Sequence, residues 1–346
     1  MIVARTGGLA VHHDEDWKDA LMRITALAGG VGGARFLRGL LHHLGTVPGS
    51  HEVTVVGNTA DDITLHGLRV CPDLDTVMYT LGGGIHEAQG WGRADEHFTV
   101  AEELAAYGEG PDWFTLGDRD LGTHLVRTRL LGQGLPLSQV TARLAERWGL
   151  PGRGVRLLPM SDDRVETHVE VADEEGVRAV HFQEWWVRLH AAIPARRILA
   201  LGIESASPAP GVLEAIGTAD VVLLPPSNPV VSIGTILGVP GVRDALRGTR
   251  APVVGVSPIV GGAPVRGMAD ACLQAIGVET SARAVAGLYA DFLAGWLVDT
   301  ADAHLAGGSR PVVRSRPLLM TDVSASAEIA AEALRLARDL AGAPVA

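Results

Sequence analysis

Short apolar runs alternate along this chain with stretches whose apolar residues fall at helical spacing. Ile24 to Ala28 is a run of strand length, after which Phe36, Leu37, Leu40, Leu41 and Leu44 share one face of a helix that Gly45 can close. "HEVTVVGN", "RRILALG", "ADVVLLPPSN" and "APVVGVSPI" repeat the first pattern, and "GVLEAIG" and "MADACLQAIG" repeat the second. Strands apolar on both faces, separated by helices, predict a parallel sheet covered on both sides. The expected fold class is α/β, a Rossmann-like parallel sheet with helices on both faces, which takes ligands at the carboxyl ends of its strands. Between about residues 85 and 150 the sequence becomes Gly-interrupted, Trp-containing and helix-like, with "AEELAAYG" and "LSQVTARLAERWG" as candidate helices. That stretch reads as an inserted, mainly helical region capping the active face of a single domain over residues 22–340, with residues 1–21 a disordered extension.

Composition narrows the partners. With 47% hydrophobic and 20% charged residues over 346 positions, the chain can bury one large or two modest cores. Cys71 and Cys272 cannot by themselves build a disulfide framework or a zinc site, which favours a reducing compartment, the cytoplasm by default. No apolar run has the length of a membrane span, and the first twenty residues hold four acidic side chains where a signal peptide would be basic and then apolar. A formal net charge of −11 leaves no basic stripe for nucleic acid, so a phosphate ligand would have to be held by local devices.

Such a device follows the first strand. "GGVGG" puts four glycines in five positions at the start of a helix, where free N–H groups and the positive helix end suit a diphosphate. The dinucleotide fingerprint that could begin at Gly30 and Gly32 has Arg35 at its third glycine position, and the second strand ends in "VVGN" without the ribose-binding acid. A nucleotide diphosphate other than NAD fits better; a tight turn needed only for packing is the alternative. Beyond the second strand, "NTADDITLHGLRVCPDLDT" gathers Asp61, Asp62, Asp73 and Asp75. Carboxylates beside a phosphate site call for a bridging cation, and magnesium takes one or two carboxylates plus substrate phosphates, although any one Asp could instead cap a helix or turn.

"GDRDLGTH" sets Arg119 between Asp118 and Asp120, where it can present a guanidinium to a phosphate or ring carbonyl or form a structural salt-bridge knot. His124 reads as a packing or hydrogen-bonding residue before it reads as a base. "PPSNPVVSIGT" ends a strand in Ser227, Asn228, Ser232 and Thr235, and "VSPIVGG" repeats the theme with Ser257. Trp185 and Trp186 could form a stacking wall or simply core.

Together "GGVGGARFL", "NTADD", "CPDLDTVMYTLGGGI", "GWG", "LGDRDLGTHLVR", "LPMSDDRVETHV", "HFQEWWV", "PPSNPVVSIGTIL" and "SPIVGGAPVRGMAD" resemble the CofD/FbiA family, the 2-phospho-L-lactate or phosphoenolpyruvate transferases of coenzyme F-420 biosynthesis. The resemblance runs from Met22 to about Asp322 and implies a homodimeric, magnesium-dependent enzyme. Its implied substrates are a lactyl- or enolpyruvyl-diphospho-guanosine donor and the deazaflavin alcohol 7,8-didemethyl-8-hydroxy-5-deazariboflavin, and the actinobacterial look of "CPDLDTVMYTLGGGI" and "HFQEWWV" points to the enolpyruvyl donor. The ribityl hydroxyl would attack phosphorus and GMP would leave, so positioning and charge neutralisation should dominate. On that basis Gly30, Gly32, Gly33, Ser227, Asn228, Ser232 and Ser257 are expected to hold the donor nucleotide, and Asp61 and Asp62 the magnesium. Asp75 and Arg119 fall on positions associated with the deazaflavin; Asp61, Asp62 and Arg119 are the expected catalytic residues. The alternatives are a non-enzymatic nucleotide-sugar-binding regulator of the gluconeogenesis-factor type, which would bind without turnover, and an NAD-dependent oxidoreductase, which Arg35 and "VVGN" weaken.

Overall fold

The structure is a computed structural model that describes residues 21–174 and 176–342. In chain order it runs β1 (Met22–Ala28), α1 (Gly30–Leu44), β2 (His51–Gly57), the hairpin β3 (Ile63–Leu65) and β4 (Leu68–Val70), and α2 (Pro72–Gly82). There follow α3 (Thr99–Ala106), α4 (Asp118–Gly132), α5 (Leu137–Arg147), β5 (Val155–Pro159), β6 (Glu166–Asp173), β7 (Gly176–His181) and β8 (Ala195–Leu201). The last part holds α6 (Val212–Gly217), β9 (Val221–Leu224), α7 (Ile233–Gly238), α8 (Val242–Gly248), β10 (Val253–Val256), β11 (Ile259–Val260) and β12 (Ala263–Pro264). It closes with α9 (Ala269–Ala275), α10 (Ala282–Gly287), β13 (Gly295–Val298), β14 (Val312–Ser315) and α11 (Val323–Gly342).

Seven strands form one parallel sheet in the order β14-β13-β10-β9-β1-β2-β5, as the α/β expectation requires. Successive residues of each strand face opposite sides, so every strand feeds two cores. Ile24, Ala26, Val53, Val55, Val221 and Leu223 meet α1, α2, α5 and α11 on one side. Leu27, Val56, Val222 and Leu224 meet the helices α6 to α10 on the other. An apolar run with no polar alternation is what this double burial demands.

One strand departs from the expectation. "RRILALG" forms β8, which pairs antiparallel with β6 in a separate sheet ordered β7-β6-β8. None of its residues is fully buried, because it packs on one side only; the short apolar run resembles a doubly buried strand in composition but not in surroundings. The parallel sheet is completed instead by "VRLLP" at one edge and "GWLV" and "VVRS" at the other. The stretch expected as an insertion holds α3, α4 and α5, but α5 sends Val140 and Leu144 into the main core beside Leu157 of β5, so it is a crossover helix of the sheet as well as part of a cap. Apart from Leu21, the expected N-terminal extension lies outside the described residues. Among the described residues no helix is long and apolar enough to cross a membrane.

Candidate active site

The chain proceeds outward from β1 to β2 and β5, then returns to the other side of β1 with β9. The carboxyl ends of β1 and β9 therefore flank the point where strand order reverses, the position at which open α/β sheets place their ligands. Gly29 leaves β1 extended, and Gly30 has a φ of 63°, the left-handed region that side chains disfavour. From the end of β9 the Ser227 hydroxyl accepts the Gly29 N–H at 3.0 Å and donates to the Gly29 carbonyl at 2.8 Å. A Cβ on Gly32 would stand 2.3 Å from the Pro226 carbonyl oxygen, and one on Gly33 2.5 Å from Ser227 Oγ. Two of the expected donor-site glycines, Gly32 and Gly33, are thus already required by the close approach of the β9 loop.

The four aspartates are all buried, with exposures of 4% for Asp61, 1% for Asp62, 9% for Asp73 and 4% for Asp75, but they form two groups. Asp73 leans against the glycine turn: a Cβ on Gly29 would meet its Oδ2 at 2.4 Å, and the Gly30 N–H and Ser232 hydroxyl bond to it. Asn58, at the end of β2, donates to Asp73 Oδ2 at 2.9 Å and accepts from the Thr235 hydroxyl at 2.8 Å. Asp61 lies on the same side, its Oδ1 buried without a hydrogen-bond partner, near a Thr167 hydroxyl that is likewise unpartnered. Burial first, and the neighbouring Asp73 charge next, raise the Asp61 carboxyl well above its ordinary range. Burial also raises Asp73, against the hydrogen bond from Asn58.

Asp62 and Asp75 point into a different neighbourhood, one that supplies its own cations. Arg69 Nη2 lies 3.4 Å from Asp62 Oδ2, and Arg127 from α4 pairs closely with Asp75 Oδ1 while donating to His124 Nδ1 at 3.0 Å. Burial, only partly offset by Arg69, pushes the Asp62 carboxyl up to about 7. His124 is fully buried and faces Asp120 at 3.4 Å, and Asp120 accepts from the Tyr79 hydroxyl at 2.6 Å. His124 is thereby a hydrogen-bonding residue of the interior.

Asp75 and Arg119, both expected at the deazaflavin, lie in different surroundings. Asp75 is sealed by Arg127, whereas Arg119 is exposed on α4, 3.7 Å from the still more exposed Asp95. Nor do its flanking acids hold Arg119: Asp118 accepts the N–H groups of Thr99 and Val100 at the start of α3, and Asp120 belongs to the Tyr79 cluster. Arg119 is neither clamped nor knotted because, on a helix, residues one apart point in different directions.

Of the β9 and β10 residues, Ser227 and Ser232 reach the glycine turn. Asn228 turns its amide oxygen back to the N–H groups of Val230 and Val231, and the Ser257 hydroxyl closes a turn with Ile259. Trp185 is fully buried, donating to the Ile193 carbonyl at 2.9 Å, so it is core and not a stacking wall; Trp186 packs on Gly267. Asn58, Thr167, Arg69, Arg127, His181 and Gln183 were not singled out by sequence pattern. Asn58 and Thr167 sit among other polar residues, in "GNTADD" and "VETHV", with nothing local to set them apart, and the tryptophans in "HFQEWW" draw the eye from His181 and Gln183. Beside the hairpin tip at His66, a cavity of about 760 Å³ is lined by Phe98, Leu104, Trp113, Phe114 and Leu121 of the inserted region.

The family described as 2-phospho-L-lactate transferase CofD matches residues 24–324. The chain belongs to that family. It is 64% identical over 323 residues to the phosphoenolpyruvate transferase of Kitasatospora aureofaciens and 65% identical over 328 residues to that of Thermobifida fusca, covering 92% of this chain and 99% of each relative. The phosphoenolpyruvate transferase of Mycolicibacterium smegmatis is 54% identical over 333 residues, 93% of this chain and 99% of that protein. The crystal structure of protein BH3568 from Bacillus halodurans, of the UPF0052 family, is similar in fold alone, with a TM-score of 0.56 at 18% identity over 91% of this chain and all of that one. Membership in the CofD family favours a transferase over an NAD-dependent oxidoreductase.

Proposed function

We propose that this chain transfers a phosphoenolpyruvyl or 2-phospho-L-lactyl group from a guanosine diphosphate donor to the ribityl hydroxyl of 7,8-didemethyl-8-hydroxy-5-deazariboflavin, forming a phosphodiester and releasing GMP. The enolpyruvyl donor is preferred because the relatives at 52–65% identity carry the name phosphoenolpyruvate transferase. One observation carries the reading: Asp61 and Asp73 are buried together against the start of α1, and neither takes part in an ion pair among the described residues. Two such carboxylates repel a diphosphate and each other unless a cation joins them.

The donor set would suit magnesium, which needs only one or two carboxylates when substrate phosphates complete its shell; no group of three or more His, Cys, Asp or Glu among the described residues could hold a metal by itself. Asp61 with Asp73 would hold the ion, in preference to Asp62, whose side chain turns to Arg69. Bound there, magnesium would neutralise charge on the diphosphate as the phosphorus is transferred. The N–H groups that open α1 would orient the diphosphate, and one carboxylate of the cluster would take the attacking hydroxyl's proton. The aromatic cavity beside His66 has the size and lining for a planar acceptor, a better seat than sealed Asp75. A homodimer is part of the proposal, supported by α3, which buries none of its residues, and by the exposed Phe98, Val100, Tyr107 and Leu125 on the same region; light scattering of the purified protein at twice the chain mass is expected.

The test incubates the protein with the deazaflavin alcohol, each donor, and magnesium or chelator, then reads product masses. A deazaflavin phosphodiester and stoichiometric GMP are expected with magnesium alone. Binding of either donor without product would overturn the enzymatic reading and favour a regulator.

A further inference from the structure

The loop that carries Asp61 and Asp62 is held from behind by the three-stranded sheet. Thr167 of β6 donates its backbone N–H to the Ala60 carbonyl at 2.6 Å. Past the end of β7, the Gln183 amide donates Nε2 to the Asp61 carbonyl at 3.3 Å, and His181 Nε2 lies 3.2 Å from the Asp62 carbonyl. The Gln183 backbone N–H meets His181 Nδ1 at 3.1 Å. A peptide N–H only donates, so Nδ1 accepts, Nε2 carries the ring proton, and the Asp62 carbonyl receives it. Two consecutive carbonyls are thus gripped by side chains two residues apart in the same short segment, and the direction of the peptide between them fixes which way each carboxylate leaves the chain. Asp61 is sent to Asp73 and Asp62 to Arg69.

We propose that His181 and Gln183 are positioning residues for the transfer reaction, a strut that aims Asp61 at Asp73 by holding the carbonyls of Asp61 and Asp62. The proposal rests on the reading that Asp61 and Asp73 hold the cation, and it goes beyond that reading by assigning the second layer that orients the ligand. Supporting partners of this kind are worth about 10–100-fold in metal affinity or activity. His181→Phe keeps the ring shape without the donor, and His181→Gln returns a side-chain N–H at about the same reach. Gln183→Met keeps length without the donor.

The experiment measures Mn²⁺ affinity in the presence of GDP by electron paramagnetic resonance, together with kcat, KM and Tm, on the full chain. For His181→Phe and Gln183→Met we expect Mn²⁺ affinity and kcat to fall about 10–100-fold with little change in the acceptor KM, and for His181→Gln a recovery of most of both losses. Equal losses in His181→Phe and His181→Gln, or affinity and turnover per folded molecule unchanged while Tm falls, would overturn the strut. If His181→Phe does not fold, Gln183→Met and His181→Gln carry the same comparison. If the wild type binds Mn²⁺ and the Mn²⁺ affinities of the variants follow the expected pattern but no donor is turned over, the transferase reading falls and the strut stands; if the wild type transfers and the variants match it, the strut falls alone.

Discussion

Asp61 with Asp73, and Asp62 with Asp75, arise from one stretch of fifteen-odd residues and share nearly complete burial, yet they end in opposite electrostatic situations. The second pair is finished in charge by the chain itself, through Arg69 and Arg127, whereas the first takes part in no ion pair among the described residues; oxygens without a hydrogen bond remain in both, Asp61 Oδ1 in the first and both Asp62 oxygens with Asp75 Oδ2 in the second. A buried carboxylate with a guanidinium is an internal strut; a buried carboxylate without one is an open valence for something from outside. The difference separates structure from function more sharply than burial or residue type does.

The largest expected effect breaks the unfinished half. Asp61→Asn should lower turnover about a thousandfold or more, since metal-borne charge stabilisation is worth several kcal/mol. Removing a buried, unpaired charge should at the same time raise Tm in chelator. Asp62→Asn should leave the magnesium concentration for half-maximal rate unchanged; if it raises that concentration tenfold, Asp62 is a ligand and the division of the cluster is wrong.

Breaking the finished half should damage stability first. Arg127→Met strands Asp75, and breaking a buried pair from one side costs about 3–5 kcal/mol, which for a chain of this size is a Tm loss of roughly 4–7 °C. The double change Arg127→Met with Asp75→Leu should recover most of that loss. A single variant with unaltered Tm would mean that the pair contributes nothing.

The pH dependence of stability cuts across that contrast, because burial raises Asp62 despite its guanidinium as it raises Asp61 and Asp73. Asp61 and Asp73 are raised, and Asp62 is pushed up to about 7, so in the folded state these groups bind protons more tightly than in the unfolded chain. Their contribution is fully present below the unfolded carboxyl range and is lost as pH rises through the folded values. In chelator, Tm should therefore rise as pH is lowered from 8 to 6, and magnesium with GDP should flatten the slope. A Tm that falls over that window in chelator would place the carboxylates in a better-compensated state than their surroundings indicate.

The smallest effect is expected at Arg119. Its exposed pairing with Asp95 is worth little, so Arg119→Lys should shift Tm by less than about 1 °C. If the guanidinium touches the acceptor in the complex, the acceptor KM should rise about tenfold, because an ammonium cannot make a planar two-donor contact. An unchanged KM would remove Arg119 from the acceptor site and leave the cavity at Phe98 and Trp113 as its seat.

What the amino-acid sequence determined by itself is whatever depends on neighbours along the chain. The doubly buried strands show as apolar runs, the glycine turn shows as "GGVGG" after one of them, and the acidic cluster shows as four aspartates beyond the next. Family resemblance carried the transferase assignment from contiguous motifs. Tertiary structure alone decided the rest, because countercharge and access come from residues far away in sequence. Asp75 is closed by Arg127, 52 positions on; the Asp61 and Asp62 carbonyls are held by Gln183 and His181, 122 and 119 positions on; and Gly29 is bonded by Ser227, 198 positions on. No local pattern distinguishes a carboxylate that will meet a guanidinium from one that will not, so the sequence locates the charge and the fold decides which charges remain for a ligand.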